Sequence, residues 1–87
     1  MELPELRKAI DDADEIILRA IAARFEGAKQ LKVVKQEQKL PVEDLKREDA
    51  LKTRWKKRAK ELGIREELAL LVLDFLIAES KRIQSES

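Results

Sequence analysis

The chain of 87 residues is long enough for one small domain, and it contains no cysteine and no histidine. It therefore has no disulfide or thiolate chemistry, and it lacks both the commonest metal ligand and the usual base near neutral pH. Its 19 basic and 18 acidic residues give a net charge of +1, without the excess expected of a nucleic-acid-binding protein. No apolar run approaches the roughly 18–20 residues that span a bilayer. We expect a cytoplasmic protein that uses no metal, cofactor, nucleic acid or membrane.

The first predicted element is a long helix over about residues 4–38. Pro4 suits the first turn, where its missing N–H costs no hydrogen bond, and no other proline follows before Pro41. One stripe of residues repeats along this helix in alternating steps of three and four, the spacing of a buried helical seam. We call this stripe the seam, and its members are Arg7, Ile10, Asp14, Ile17, Ile21, Arg24, Ala28, Leu31 and Lys35.

The seam carries three cations, Arg7, Arg24 and Lys35, where a buried stripe would normally be apolar. Such residues can set the register of a coiled coil, or their long side chains can reach solvent. An unpaired buried charge costs several kcal/mol, however, and Asp14 can compensate only one of the three. The pattern therefore favours an anionic ligand with more than one carboxylate.

Two shorter helices are predicted after the first. Pro41 biases Leu40 away from the helical conformation, and Asp44 suits the N-cap of a helix over about residues 44–62. Gly63 fits the position just past that helix, and a third helix follows over about residues 65–85. The residues of the second helix expected to face inward are Leu45, Leu51, Trp55 and Ala59. With no β pattern or internal repeat, we expect one all-α domain spanning residues 1–87.

The length of the first helix predicts how the chain assembles. It is nearly as long as the second and third helices placed end to end, so a monomer would leave half of its apolar stripe in water. A second copy of the chain can cover that half. We therefore expect an intertwined homodimer, whose symmetry gives two equivalent sites.

Polar side chains also repeat at helical spacing on the two shorter helices. Taken alone, each set fits an ordinary helix end, where an exposed ion pair is worth under about 1 kcal/mol. The sets are Asp44, Arg47, Glu48 and Leu51 on the second helix, and Leu73, Ile77, Ser80 and Gln84 on the third.

Together these residues indicate one type of chemistry. No activated nucleophile is evident. Several cations with neutral polar groups suit the unimolecular rearrangement of a dianion, which needs a restrained conformer and positive charge where negative charge develops. The basic run KTRWKKR at residues 52–58 is better explained by a core tryptophan with solvated lysines than by a nucleic-acid site.

In order and spacing, these motifs resemble those of the all-helical, AroQ-class chorismate mutases. The resemblance covers nearly the whole chain, and it implies three-helix chains paired in a homodimer with shared active sites. It implies the Claisen rearrangement of chorismate to prephenate, an isomerase reaction of phenylalanine and tyrosine biosynthesis that uses no cofactor. The segments that carry it are LRKAIDDADEIIL, Arg24 with Lys35 eleven residues later, LPVEDLKRE and IAESKRIQ.

The resemblance implies a role for each cation. Arg7, borrowed from the partner subunit, and Arg24 would bind the substrate carboxylates, and Arg47 would support this cationic shell. Lys35 and Gln84 would hydrogen-bond the ether oxygen as its bond to carbon breaks.

It also implies the rest of the pocket. Glu48 would hold the ring hydroxyl with help from the backbone near Asp44, and Ser80 would contact a carboxylate. The walls would be formed by Leu51, Ile77 and Lys81.

Three positions depart from the family pattern, and two alternative functions stay open. Lys32 stands where a small residue is usual, Ala13 where a larger apolar one is common, and Phe25 where a polar or aliphatic one is more usual. One alternative is the related isochorismate–pyruvate lyase of the same fold, against which Glu48 argues because it suits the ring hydroxyl of chorismate. The other alternative is a non-enzymatic helical dimerisation module.

Overall fold

The computed structural model describes residues 1–86 and consists of three α-helices, which confirms the predicted all-α class. They are α1 (Leu3–Gln38), α2 (Leu45–Leu62) and α3 (Glu66–Ser85). At 36 residues α1 spans about 54 Å, since an α-helix rises 1.5 Å per residue. α3 packs against both α1 and α2, so the last helix in sequence lies between the other two in space. Over the described residues, none of the helices is both long enough and apolar enough to cross a membrane.

Local sequence explains where the helices begin and end. Asp44 accepts a hydrogen bond from the backbone N–H of Arg47 at 3.0 Å, which confirms the predicted N-cap of α2. α1 and α2 both end at a left-handed residue, Lys39 with φ 56° and Gly63 with φ 73°. In both, the following N–H bonds the carbonyl five residues back at 2.8 Å, which closes the last turn. Glycine adopts this conformation freely, whereas a lysine does so against a steric penalty.

α1 divides into two halves with different surroundings. Every residue of the N-terminal half (residues 3–20) is exposed, including the seam residues Ile10 at 62% and Ile17 at 55%. The C-terminal half (residues 21–38) contains all the buried and half-buried residues of the helix, with Ala28 the most enclosed. The seam is therefore continuous in sequence but covered over only half its length within one chain.

The core of a single chain is small. Among the described residues, Leu73 is the large side chain that is fully buried, and the other buried apolar residues are alanines. Leu45, predicted to face inward, is instead 62% exposed at the first residue of α2. Trp55 and Leu51 are only half-buried. Most of the large apolar side chains thus remain available for contact with another surface.

Candidate active site

A cavity of about 220 Å³, here called the small cavity, lies among all three helices. It is bounded by the C-terminal half of α1, the loop at residues 39–44, the start of α2 and the end of α3. Pockets for drug-sized ligands usually measure about 300–1,000 Å³. The small cavity is therefore suited to a compact ligand.

Nine of the eleven residues predicted to bind substrate line the small cavity. They are Arg24, Lys35, Asp44, Arg47, Glu48, Ile77, Ser80, Lys81 and Gln84. Of the other two, Arg7 lies on the exposed N-terminal half of α1, and Leu51 lines a neighbouring cavity. The sequence interpretation missed part of the apolar lining. Ala28 and Leu31 belong to the seam and could have been found from its periodicity, whereas Val42 lies in a loop that carries no periodic signal.

Arg24 extends from α1 to the last turns of α3. Its Nη1 donates hydrogen bonds to Ser80 Oγ at 3.0 Å and to the carbonyl of Leu76 at 3.5 Å. Burial and, to a lesser extent, the charge of Arg47 lower the pKa of Arg24. A guanidinium nevertheless stays charged in proteins. The cavity therefore contains a partly desolvated positive charge whose protein partners are neutral.

Lys35 holds the loop that follows α1. Its Nζ donates a hydrogen bond to the carbonyl of Val42 at 2.8 Å, across the end of the helix. An ammonium group has three N–H donors. Two donors therefore remain for a ligand in the small cavity.

Lys81 lies between two carboxylates at the edge of the small cavity. Its Nζ is 2.9 Å from Glu48 Oε2 and 3.0 Å from Glu43 Oε1. These carboxylates, Glu48 first, raise the pKa of Lys81. The side chain of Glu48 is only 16% exposed, and residues 1–86 offer its buried Oε2 no polar partner other than the Lys81 ammonium. The ion pair with Lys81 is what compensates the charge on this oxygen.

Gln84 is a buried polar residue near the end of α3, with 8% of its surface exposed. Across residues 1–86 no donor hydrogen-bonds its buried Oε1. Because buried polar groups are nearly always paired, an amide oxygen without a donor beside a cavity indicates capacity for a hydrogen-bond donor of a ligand.

The charges around the small cavity do not balance. Within the described part of the chain, Arg24, Lys35 and Arg47 form no ion pair with a carboxylate. The lining has four cations, Lys81 included, against the carboxylates of Asp44 and Glu48, and this excess of two positive charges favours a ligand with more than one negative charge. No group of three Asp or Glu side chains in residues 1–86 is placed to hold a metal ion.

A second cavity of about 700 Å³, here called the large groove, adjoins the first between α2 and α3. Arg24 and Arg47 line both cavities, so the two meet at these residues. Arg54 and Arg58 also line the groove. The remaining walls are apolar and comprise Leu51, Trp55, Ala59, Leu62, Ile64, Leu68, Ala69 and Val72. An apolar groove of this size suits the apolar face of another helix.

Comparison with known proteins identifies one family. The model of the family "Chorismate mutase type II" matches residues 6–85. A chorismate mutase of Methanocaldococcus jannaschii is 33% identical over 85 residues, a match that covers 98% of this chain and 86% of that protein. No solved structure matches the chain at a significant level. The family match includes α2, α3, all but the first three residues of α1, and the lining of both cavities.

Proposed function

Because the chain belongs to the chorismate mutase type II family, and is thus an isomerase acting on chorismate, we propose that the small cavity is its active site. The observation that carries this proposal is that Arg24, Lys35 and Arg47 line this cavity without an ion pair to any carboxylate of residues 1–86. Chorismate is a dicarboxylate, and its rearrangement breaks an ether C–O bond while a C–C bond forms in the same molecule. The enzyme supplies no proton or electron. Its task is to hold one conformer and to stabilise negative charge on the ether oxygen.

The cations divide between binding and catalysis in this proposal. Arg24 and Arg47 bind the substrate carboxylates, and Ser80, which already accepts a hydrogen bond from Arg24, contacts one of them. Lys35 directs a free N–H donor to the ether oxygen, where negative charge grows as the bond breaks. Gln84 donates a second, neutral hydrogen bond to the same oxygen through its amide Nε2–H.

The remaining lining fixes the orientation of the substrate ring. Glu48 accepts a hydrogen bond from the ring hydroxyl, and the backbone near Asp44 assists. Ile77 and Lys81 bound the cavity, while Leu51 contributes from the adjoining groove rather than from the small cavity itself.

We further propose that the active form is a homodimer in which the N-terminal half of α1 lies in the large groove of the partner subunit. Its exposed apolar seam and the apolar groove each need a partner. Their charges are complementary as well. Residues 3–20 contain five carboxylates and three cations, whereas α2 contains eight cations and three carboxylates.

This arrangement brings a further arginine to each site. The large groove meets the small cavity at Arg24 and Arg47, so a helix lying in the groove places part of its seam at that junction. Arg7 is the arginine of the seam in the N-terminal half. We propose that Arg7 of the partner subunit completes the shell that binds carboxylates, which makes each site depend on both chains.

The test is to incubate the purified protein separately with chorismate and with isochorismate. We expect chorismate absorbance to fall with formation of prephenate, and isochorismate to release little or no pyruvate. Pyruvate release from isochorismate without prephenate formation from chorismate would assign the lyase activity instead. The Lys35→Leu variant distinguishes the enzyme from a non-enzymatic dimerisation module. In a module this change would raise the free energy of unfolding, because it removes a charge from the seam, and no activity would be lost. The expected cytoplasmic location stays a prediction.

A further inference from the structure

The ion pair between Lys81 and Glu48 is a feature that binding of the substrate carboxylates does not explain. Lys81 Nζ lies 2.9 Å from the buried Glu48 Oε2, for which residues 1–86 offer no other polar partner. The same ammonium donates to Glu43 Oε1 at 3.0 Å, in the loop at residues 39–44. Lys81 therefore links α3, α2 and this loop at the edge of the small cavity.

The location of Glu48 creates an electrostatic problem for a dianionic substrate. Its side chain is mostly buried and lines the same cavity as the cations. A carboxylate in this position repels the carboxylates of the ligand, and like charges in a poorly hydrated site are costly. A cation held on Glu48 offsets that repulsion and also restricts the orientation of the carboxylate.

We propose that Lys81 is a positioning residue that acts through Glu48. It holds the Glu48 carboxylate towards the ring hydroxyl, and its positive charge reduces the repulsion between this carboxylate and the substrate dianion. This inference rests on the proposed function of the small cavity. The repulsion that Lys81 removes is present in the bound substrate and in the transition state alike. Loss of Lys81 therefore raises KM and changes kcat little.

The central experiment is a double-mutant cycle between Lys81→Met and Glu48→Gln, with kcat and KM measured from prephenate formation. We expect Lys81→Met alone to lower kcat/KM about tenfold, almost entirely through KM. In the Glu48→Gln background, where no carboxylate remains to be held or neutralised, the same change lowers kcat/KM less than about twofold. Lys81→Arg restores most of the loss because it keeps the cation.

Three outcomes would overturn the proposal. An equal tenfold loss in both backgrounds would mean that Lys81 acts on the substrate directly. A lower melting temperature with unchanged KM would mean that it only ties the helices together. A loss confined to kcat would place it at the reacting atoms. Should the methionine variant fold poorly, Lys81→Gln gives the same cycle with a polar side chain.

Two matched variants complete the design. Lys29→Met makes the same chemical change at an exposed lysine of α1, and we expect kcat/KM to stay within about twofold of wild type. Glu43→Gln removes the contact with the loop but leaves the pair with Glu48, and we again expect under about a twofold effect. A Glu43→Gln loss as large as that of Lys81→Met would assign the role to the loop and overturn the proposal. Absence of prephenate with the wild-type protein would instead refute the proposed function.

Discussion

The two halves of α1 carry one seam but have different surroundings. In the C-terminal half, Arg24 and Lys35 donate hydrogen bonds to α3 and to the following loop. In the N-terminal half, Arg7, Ile10 and Ile17 are exposed, although their spacing is the same. The helix is unbroken between the halves. The difference therefore lies in what covers each half, and the periodicity of a seam predicts burial without specifying which chain provides it.

The comparison also separates two tasks within one helix. The C-terminal half contributes two cations and apolar lining to the small cavity. In our proposal the N-terminal half contributes assembly, together with one arginine for the site of the partner. Variants in the two halves should consequently fail in different ways.

The largest expected effect comes from an anionic substitution on the exposed seam. Ile17→Asp would replace an apolar side chain with a carboxylate against the apolar walls of the proposed interface, twice per dimer, and burying a charge there costs several kcal/mol each. We expect a monomer by light scattering at micromolar concentration and a loss of kcat/KM greater than about 100-fold, because Arg7 of the partner subunit no longer reaches the site.

Arg19→Asp is the matched control for this variant. Arg19 lies on the opposite face of the same half and pairs only with the exposed Glu15 at 3.0 Å. We expect it to remain dimeric and active, since such surface pairs contribute less than about 1 kcal/mol. An Ile17→Asp chain that stays dimeric and active would refute the proposed use of the N-terminal half.

The second prediction joins the two halves across subunits. Lys35→Ala should lower kcat/KM at least about 100-fold without altering the dimer, because it removes a charged contact that is strongest in the transition state. Arg7→Ala should also be nearly inactive. After subunit exchange of equal amounts of the two variants, half of the dimers are hybrids with one intact site. We expect about a quarter of wild-type activity to return.

Subunit exchange must be demonstrated independently, for example by mass spectrometry of the mixed dimers. Confirmed hybrids without regained activity would mean that Arg7 acts within its own chain or not at all. Near-wild-type turnover of Lys35→Ala alone would contradict its contact with the ether oxygen.

The sequence predicted features that depend on local rules. Asp44 as an N-cap and Gly63 after α2 follow from backbone chemistry within a few residues, and both are confirmed. The shared face of Arg24 and Lys35 follows from the periodicity of one helix, and both line the small cavity. These predictions required no knowledge of how the helices pack.

Features that depend on packing between elements could not be read in this way. The contact of Lys81 with Glu48 joins residues 33 positions apart on different helices, and the sequence indicated only that Lys81 would form part of a wall. Leu51 shares a helical face with the site residues of α2. It lies further along the helix, however, and lines the large groove instead of the small cavity. The left-handed conformation of Lys39 could not be predicted either, because the residue that usually indicates it, glycine, is absent from this position.

A smaller effect is expected where the C-terminal half of α1 ends. Lys39 has φ 56°, a conformation that costs an ordinary residue roughly 1 kcal/mol relative to glycine. Lys39→Gly should therefore raise the free energy of unfolding by about 1 kcal/mol per chain, measured by thermal or urea denaturation. Lys39→Ala, which keeps a Cβ, should not reproduce the gain. An equal gain from alanine would attribute the effect to the lysine side chain rather than to the backbone.

The smallest expected effect is the response of activity to pH, because Arg24 and Lys81 at the small cavity keep their charges around neutrality. The pKa of Lys81 is raised above the ordinary lysine value of 10.5 by Glu48 and Glu43. Its ammonium is therefore fully charged below about pH 10.5 and loses its proton only as the pH rises through the higher value of the folded state. Gln84 is neutral, and the chain has no histidine.

We therefore expect kcat/KM to vary by less than about twofold between about pH 5 and 8, in initial rates of prephenate formation. Repeating the measurement at several protein concentrations shows whether a pH effect arises from dimer assembly or from the small cavity. A pH effect that depends on concentration would arise from assembly through the N-terminal half, because dilution shifts only the dimer equilibrium. An effect independent of concentration would mean that a group in the small cavity titrates in this range, which would contradict the expectation that the charges at this site stay constant.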